Sequence, residues 1–159
     1  MIASSTWQQD MTFESRSGSG HTIVLDGSPA HAAGPTPMEA VLMALCGCTS
    51  VDVVAILKKK REPFTGLTVS ATAEQAGEAP RVFTRIELVY RVTGNVSQKS
   101  MEDAVSLSKN KYCSVSKMLE KSSKIEFRIE YAGPGEVADA IVEAQAEAAH
   151  AGNNEGPKE

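Results

Sequence analysis

A long apolar segment near the middle of the sequence most constrains the fold. Thr36 suits the N-cap of a helix, Pro37 suits its first position, and Glu39 stands at its third position. Together they form a capping box with a proline in the first turn. The pattern then runs apolar to Leu57 and ends in a basic run, which suits the carbonyl end of a helix. This predicts a helix over 37–61 that is apolar on nearly every face. Such a helix must be enclosed, and one small domain can hardly enclose it, so we expect a second copy of the chain to help.

Length and composition are those of an ordinary globular protein. The chain has 159 residues, of which 42% are hydrophobic and 23% are charged. The net charge of −4 and the aromatic content of 5% argue against nucleic acid as a partner. The apolar stretch 40–57 is interrupted by Thr49, Ser50 and Asp52, and a membrane helix needs about 20 mostly apolar residues. We therefore expect no membrane partner either.

The N-terminus and the cysteines predict the compartment. Residues 1–7 have neither the basic start nor the apolar run of a signal peptide. Three cysteines, Cys46, Cys48 and Cys113, are too few for a secreted disulfide scaffold. We expect a cytoplasmic protein whose thiols are reduced by default.

The remaining elements are mostly hairpin strands. Strand patterns occur at 5–14, 20–26, 66–74, 81–92 and 124–131, and two short helices are predicted over about 98–109 and 111–121. The order β-β-α-β-β-α-α-β predicts an α+β fold with an antiparallel sheet. We assign one domain to 1–131 and an Ala/Glu-rich tail to 132–159, with a weak helix over 135–149 and a frayed end.

No metal-binding pattern is present in the sequence. Cys46 and Cys48 are two apart on the predicted helix, about 200° around its axis, so they cannot bridge each other or clamp an ion together. His21, His31 and His150 are scattered. We expect neither a metal site nor a bound cofactor, and Cys46 is best interpreted as a packing residue.

Two cysteines lie in settings that suit chemistry. Cys48 belongs to a small polar notch, residues 47–50, which makes room either for a ligand or merely for close helix packing. If Asn110 caps the next helix, Cys113 is its third residue, among free backbone N–H groups and beside Lys109 and Lys111, which favours a thiolate. From the residues alone Cys113 is the more activated thiol, with a buried packing role as the alternative.

The stretches 35–50 and 111–116 resemble the OsmC/Ohr family of thiol-dependent peroxidases. The first resembles the family's helix with the peroxidatic cysteine, and the second resembles its resolving-cysteine segment. The resemblance implies an intertwined homodimer in which two sheets enclose the long helices. It also implies that an organic hydroperoxide oxidises Cys48 to a sulfenic acid and that Cys113 then closes a disulfide. A dithiol reductant, lipoyl or thioredoxin-like, would restore the thiols.

The sequence departs from the family pattern near the helix start. Met38 stands where the studied peroxidases keep a glutamate, and Glu39 follows one position later. We therefore expect Glu39 to act first as a capping residue and only secondarily as a catalytic one. The family's arginine ahead of this helix is missing from 26–38, and Arg81 or Arg85, from either chain, could replace it. These departures are typical of a divergent OsmC-like branch.

Three functions are compatible with these features. The first is a peroxidase for organic hydroperoxides that cycles between a Cys48/Cys113 dithiol and a disulfide. The second is a non-enzymatic binding or redox-sensing protein with an apolar pocket near Cys48, which the missing arginine favours. The third is a purely structural α+β dimer with inert cysteines.

Overall fold

The computed structural model describes residues 1–133, which lie in two compact units, residues 1–44 and the chain from Leu45 onward. The tail helix predicted over 135–149 lies outside the described residues, and the single domain predicted over 1–131 stays a prediction. The strands are β1 (Ala3–Gln9), β2 (Thr12–Ser17), β3 (Thr22–Asp26), β4 (Phe64–Gln75), β5 (Phe83–Gly94) and β6 (Lys124–Ala132). The helices are α1 (Pro37–Lys59), α2 (Gln98–Leu107) and α3 (Ser114–Leu119), and a π-helical turn, Ser108–Tyr112, joins α2 to α3.

The first unit contains an antiparallel meander in the order β1-β2-β3. The sequence predicted a single strand over 5–14, and that prediction is wrong. The chain reverses at Asp10, whose φ of 45° lies in the left-handed region. No glycine or proline marks this turn, so a pattern-based reading runs straight through it. Residues 1–133 therefore contain one strand more than predicted.

The second unit contains the sheet β4-β5-β6. The long β4 and β5 strands pair antiparallel, as predicted, but β6 pairs parallel to β5. The prediction of a wholly antiparallel sheet is therefore wrong. A segment as long as the one from α2 to α3 can return the chain to the end of the sheet at which β5 began, so that the next strand runs parallel to β5. Alternation along β6 shows which residues share a face and does not show the strand direction. The buried hydrophobic side chains of β5 are Phe83, Ile86, Leu88, Tyr90 and Val92.

Helix α1 has almost the predicted bounds but not a uniformly buried surface. Its buried residues recur every fourth position, namely Leu45, Thr49, Val53 and Leu57. Elsewhere on the helix Val51 is 70% exposed and Met43 is 54% exposed. Within residues 1–133, α1 alone has the length and apolar composition to cross a membrane, with a mean hydropathy of 2.2. Of its 18-residue apolar stretch, 22% is buried. The described part of a single chain leaves these side chains of α1 exposed, and enclosure by a second copy stays a prediction.

Candidate functional site

The position of Cys113 differs from the sequence prediction. Asn110 does not cap a helix, because it lies inside the π-helical turn that continues α2. Cys113 itself is the N-cap of α3, and its Sγ accepts the backbone N–H of Ser116 at 3.4 Å. A π turn inserts one residue into the helical repeat without a distinctive residue type, so the sequence did not reveal the shift.

Burial, and not the helix end, has the larger effect on the pKa of the Cys113 thiol. The side chain is 0% exposed, and this burial raises the pKa of the thiol because it disfavours the charged form. The hydrogen bonds from Ser116 act in the opposite direction, and the neighbouring Cys48 raises the pKa further. The predicted N–H donor is therefore present, but it does not make Cys113 an activated thiol.

Cys48 lies beside Cys113, although the two cysteines are 65 positions apart in the sequence. Their Sγ atoms and a carboxylate oxygen of Asp52 all lie within 4.8 Å of one another. Cys48 and Asp52 are half-buried, and they share a face of α1 because they are four residues apart. We call these three residues the Cys-Asp-Cys cluster. Both of its cysteines were predicted from the sequence as site residues, and Asp52 was not.

A chain of hydroxyl groups leads from the sheet to Asp52. Ser108 Oγ donates to Asp52 Oδ2 at 2.9 Å, Thr49 Oγ1 lies 2.8 Å from Ser108 Oγ, and Tyr90 Oη lies 2.7 Å from Thr49 Oγ1. Each hydroxyl has one proton to donate. Because Ser108 donates to Asp52, Thr49 must donate to Ser108, and Tyr90 must donate to Thr49. Burial raises the pKa of Tyr90 to about 12, so the phenol at the start of this chain keeps its proton.

This directed chain fixes the carboxylate of the cluster. Thr49 and Ser108 are fully buried, and the hydroxyls of both are engaged in this series of hydrogen bonds. Thr49, one of the residues of the predicted notch, is thus a buried core residue engaged in hydrogen bonds. The Ser50 hydroxyl is also engaged, because it donates to the carbonyl of Cys46 at 2.7 Å. Gly47 is the residue of the notch that faces open space.

Cys46 is separate from the Cys-Asp-Cys cluster. Burial raises the pKa of its thiol to about 11, which keeps it protonated at neutral pH. This favours the packing role expected from the sequence.

Glu39 forms the predicted capping box. Its Oε2 accepts the Thr36 N–H at 2.7 Å and the Thr36 hydroxyl at 2.9 Å, while the Glu39 N–H donates to Thr36 Oγ1 at 3.1 Å. The N–H of Thr36 is the main reason why the pKa of Glu39 is lowered. The structure accounts for Glu39 as a cap, and its catalytic role stays a prediction.

Both candidate arginines have partners within their own chain. Arg85 pairs with Glu74 at 3.3 Å and with Glu126 at 2.8 Å, and these contacts raise its pKa. Arg81 donates through Nε to the carbonyl of Ala76 at 3.4 Å. Neither contact brings a guanidinium to the cluster, so the substitute for the family's arginine stays a prediction.

Comparisons with known proteins agree on one family. Residues 29–128 match the family model described as OsmC-like protein. Protein YhfA of Escherichia coli K12 is 46% identical over 126 residues, which cover 79% of this chain and 93% of YhfA. A hypothetical protein from Aquifex aeolicus VF5 has 30% identity and a TM-score of 0.76, with 83% of this chain and 96% of that one covered.

A more distant structural match carries a functional description. It is an organic hydroperoxide resistance protein OsmC from Legionella pneumophila, 12% identical with a TM-score of 0.63. The match covers 81% of this chain and 95% of the Legionella chain. At this identity the likeness shows a common fold alone.

Proposed function

The chain belongs to the OsmC-like family, and on that premise we propose that it is a cysteine-dependent peroxidase that reduces organic hydroperoxides. One observation supports this most strongly. The sulfur atoms of Cys48 and Cys113, which come from different elements, lie within 4.8 Å of each other. A small side-chain movement would bring them to the S–S bond length of about 2.0 Å. Two thiols at such a distance can store and release a pair of electrons.

The surroundings of the two thiols support a division of roles. The thiolate is the nucleophile in peroxide reduction, and the attacking sulfur must also be reached by the substrate. Cys113 is fully buried, and burial raises the pKa of its thiol. Cys48 is only half-buried. We therefore assign the attack on the peroxide to Cys48 and the resolving step to Cys113.

The proposed cycle balances in two steps. The Cys48 thiolate attacks the terminal OH oxygen of the hydroperoxide, so that an S–O bond forms and the O–O bond breaks. Cys48 becomes a sulfenic acid, and the alkoxide takes a proton from water and leaves as an alcohol. The Cys113 thiol then attacks the sulfur of the Cys48 sulfenic acid: an S–S bond forms, the S–O bond breaks, and the hydroxyl leaves as water with the proton of the Cys113 thiol. The two electrons that reduce the hydroperoxide come from the two thiols, which end as a disulfide.

A second dithiol must return these electrons. We propose a lipoyl or thioredoxin-like reductant, since attack by one thiolate through a mixed disulfide is the general way to reopen a protein disulfide. The cycle also requires reduced thiols at rest, which the cytoplasm provides.

Intact-mass spectrometry tests the peroxidase proposal. One equivalent of an organic hydroperoxide added to the reduced protein is expected to remove two hydrogens per chain, because a disulfide replaces two thiols. The Cys46→Ser variant serves as the matched control and should lose the same two hydrogens. An unchanged mass with all thiols still free would contradict the proposal and favour the binding or redox-sensing alternative.

We also propose that the functional form is a homodimer that covers α1. In the single chain Val51 is 70% exposed, and Met43 is 54% exposed. Large apolar side chains on so apolar a helix are costly to leave in water, at about 25 cal/mol per Å². A second copy presents an equally apolar surface, so pairing removes both from water.

Light scattering tests the dimer. The protein at micromolar concentration is expected to have twice the chain mass of 16.9 kDa. Val51→Asp should weaken association, because the carboxylate would lose its hydration at the interface. Lys59→Ala, an exposed change at the end of α1, is the control and should leave the mass unchanged. A folded monomer, or a wild-type protein that needs detergent to stay in solution, would contradict the dimer.

A further inference from the structure

We propose that the reduced protein binds one zinc ion per chain through the Sγ atoms of Cys48 and Cys113 and the carboxylate of Asp52. The inference goes beyond the peroxidase proposal and does not depend on it. It concerns the Cys-Asp-Cys cluster in the absence of hydroperoxide.

The spacing of the cluster is close to that of a zinc site. Zinc binds cysteine sulfur at about 2.3 Å and carboxylate oxygen at about 2.1 Å, so neighbouring ligand atoms of a tetrahedral site lie about 3.5–3.8 Å apart. The three ligand atoms of the cluster already lie within 4.8 Å of one another. Side-chain movements of about 1 Å would bring the three ligand atoms to these separations around an ion. Three protein ligands leave a fourth position open to water.

The charges of the cluster favour a cation. All three groups are anions when deprotonated, and like charges this close oppose one another. The hydrogen-bond partner of Asp52 is the neutral Ser108 hydroxyl. No ion pair between Asp52 and a lysine, arginine or histidine occurs in the described part of the chain. A divalent ion would neutralise most of the charge of two thiolates and one carboxylate.

Two hydrogen bonds outside the cluster already orient its ligands. Ser108 holds Asp52 through Oδ2, and the N–H of Ser116 holds the sulfur of Cys113. Outer hydrogen bonds of this kind orient the ligands in metal sites. Ser108 is itself held by Thr49, so the carboxylate is positioned by a buried network.

The ligand types select zinc over the hard cations. Thiolates are soft ligands that magnesium and calcium avoid, whereas cysteine with carboxylate is within the range that zinc accepts. Binding displaces one proton from each thiol and transfers no electrons. The sequence predicted no metal site because the usual short ligand spacings are absent from it, whereas these ligands come from α1 and from the start of α3.

Metal titration of the full-length reduced protein under anaerobic conditions tests the site. Zinc competed against a chromophoric chelator is expected to bind at one equivalent per chain, with release of two protons. Cobalt(II) in place of zinc should show the absorption of thiolate-to-metal charge transfer. Cys48→Ser, Cys113→Ser and Asp52→Asn should each lower the affinity at least about tenfold, the lower end of what losing even an outer-shell partner costs.

Matched controls separate the site from adventitious binding. Cys46→Ser removes a thiol from α1, and Asp103→Asn removes a carboxylate from α2, where no residue belongs to the cluster, so both variants should bind zinc like the wild type. Equal binding by wild type, Cys113→Ser and Asp52→Asn would overturn the proposal, as would the absence of saturable binding. If a variant fails to fold, the cobalt spectrum of the wild type decides, and a spectrum without thiolate charge transfer would overturn the site. None of these measurements uses hydroperoxide, so they stand or fall separately from the peroxidase proposal.

Discussion

Cys48→Ser is expected to abolish the consumption of organic hydroperoxide, whereas Cys113→Ser is expected to consume about one equivalent and then stop. A serine hydroxyl is not ionised at neutral pH, so the first variant has no nucleophile for the O–O bond. The second variant keeps the nucleophile but has no thiol in place to resolve the sulfenic acid. Peroxide remaining in solution, measured over several equivalents with a dithiol reductant present, separates the two outcomes.

Cys46→Ser provides the control, because its thiol lies outside the cluster and burial raises its pKa to about 11. It should consume peroxide at close to the wild-type rate. If Cys113→Ser lost the first turnover and Cys48→Ser kept it, the roles of the two cysteines would be reversed. If both variants consumed peroxide like the wild type, the peroxidase proposal would fail.

Val53→Asp is expected to unfold the protein. Val53 lies on the buried stripe of α1 and is 0% exposed. An unpaired charge at such a position costs several kcal/mol, and a native domain is stable by only about 5–15 kcal/mol. Circular dichroism and thermal melting should show the loss of cooperative structure.

Val53→Ala separates the loss of packing from the buried charge. Truncation at the same site should cost about 2 kcal/mol and leave a cooperative, folded protein with a lower melting temperature. A Val53→Asp protein that melts at the wild-type temperature would show that this face of α1 is not buried in solution.

The sequence predicts α1 well because several local signals agree. The capping box at Thr36 and Glu39 is formed as expected, and the predicted range 37–61 differs from the observed end by two residues. Hairpin strands β4 and β5 are also predicted, since alternation and turn residues are local features. The turn at Asp10 was missed because it contains neither glycine nor proline, and the direction of β6 was missed because alternation does not encode it.

The candidate site could be predicted only in part. Cys48 and Cys113 were identified from the family resemblance, and the first-principles preference for Cys113 rested on the wrong helix cap. Asp52 was considered only as a charge that interrupts an apolar stretch. Its placement depends on Ser108, which the π-helical turn brings to it from 56 positions away. Long-range contacts of this kind leave no local pattern, although the spacing of four between Cys48 and Asp52 was a usable signal.

Locating the first oxidised sulfur shows which cysteine attacks the hydroperoxide. The Cys113→Ser protein is treated with one equivalent of organic hydroperoxide in the presence of a reagent that traps sulfenic acids, and the labelled peptide is identified by mass spectrometry. The assignment of the attack to Cys48 predicts the label on Cys48 and none on Cys46. A label on Cys113 in the reciprocal Cys48→Ser protein, with Cys48 unlabelled in Cys113→Ser, would contradict it.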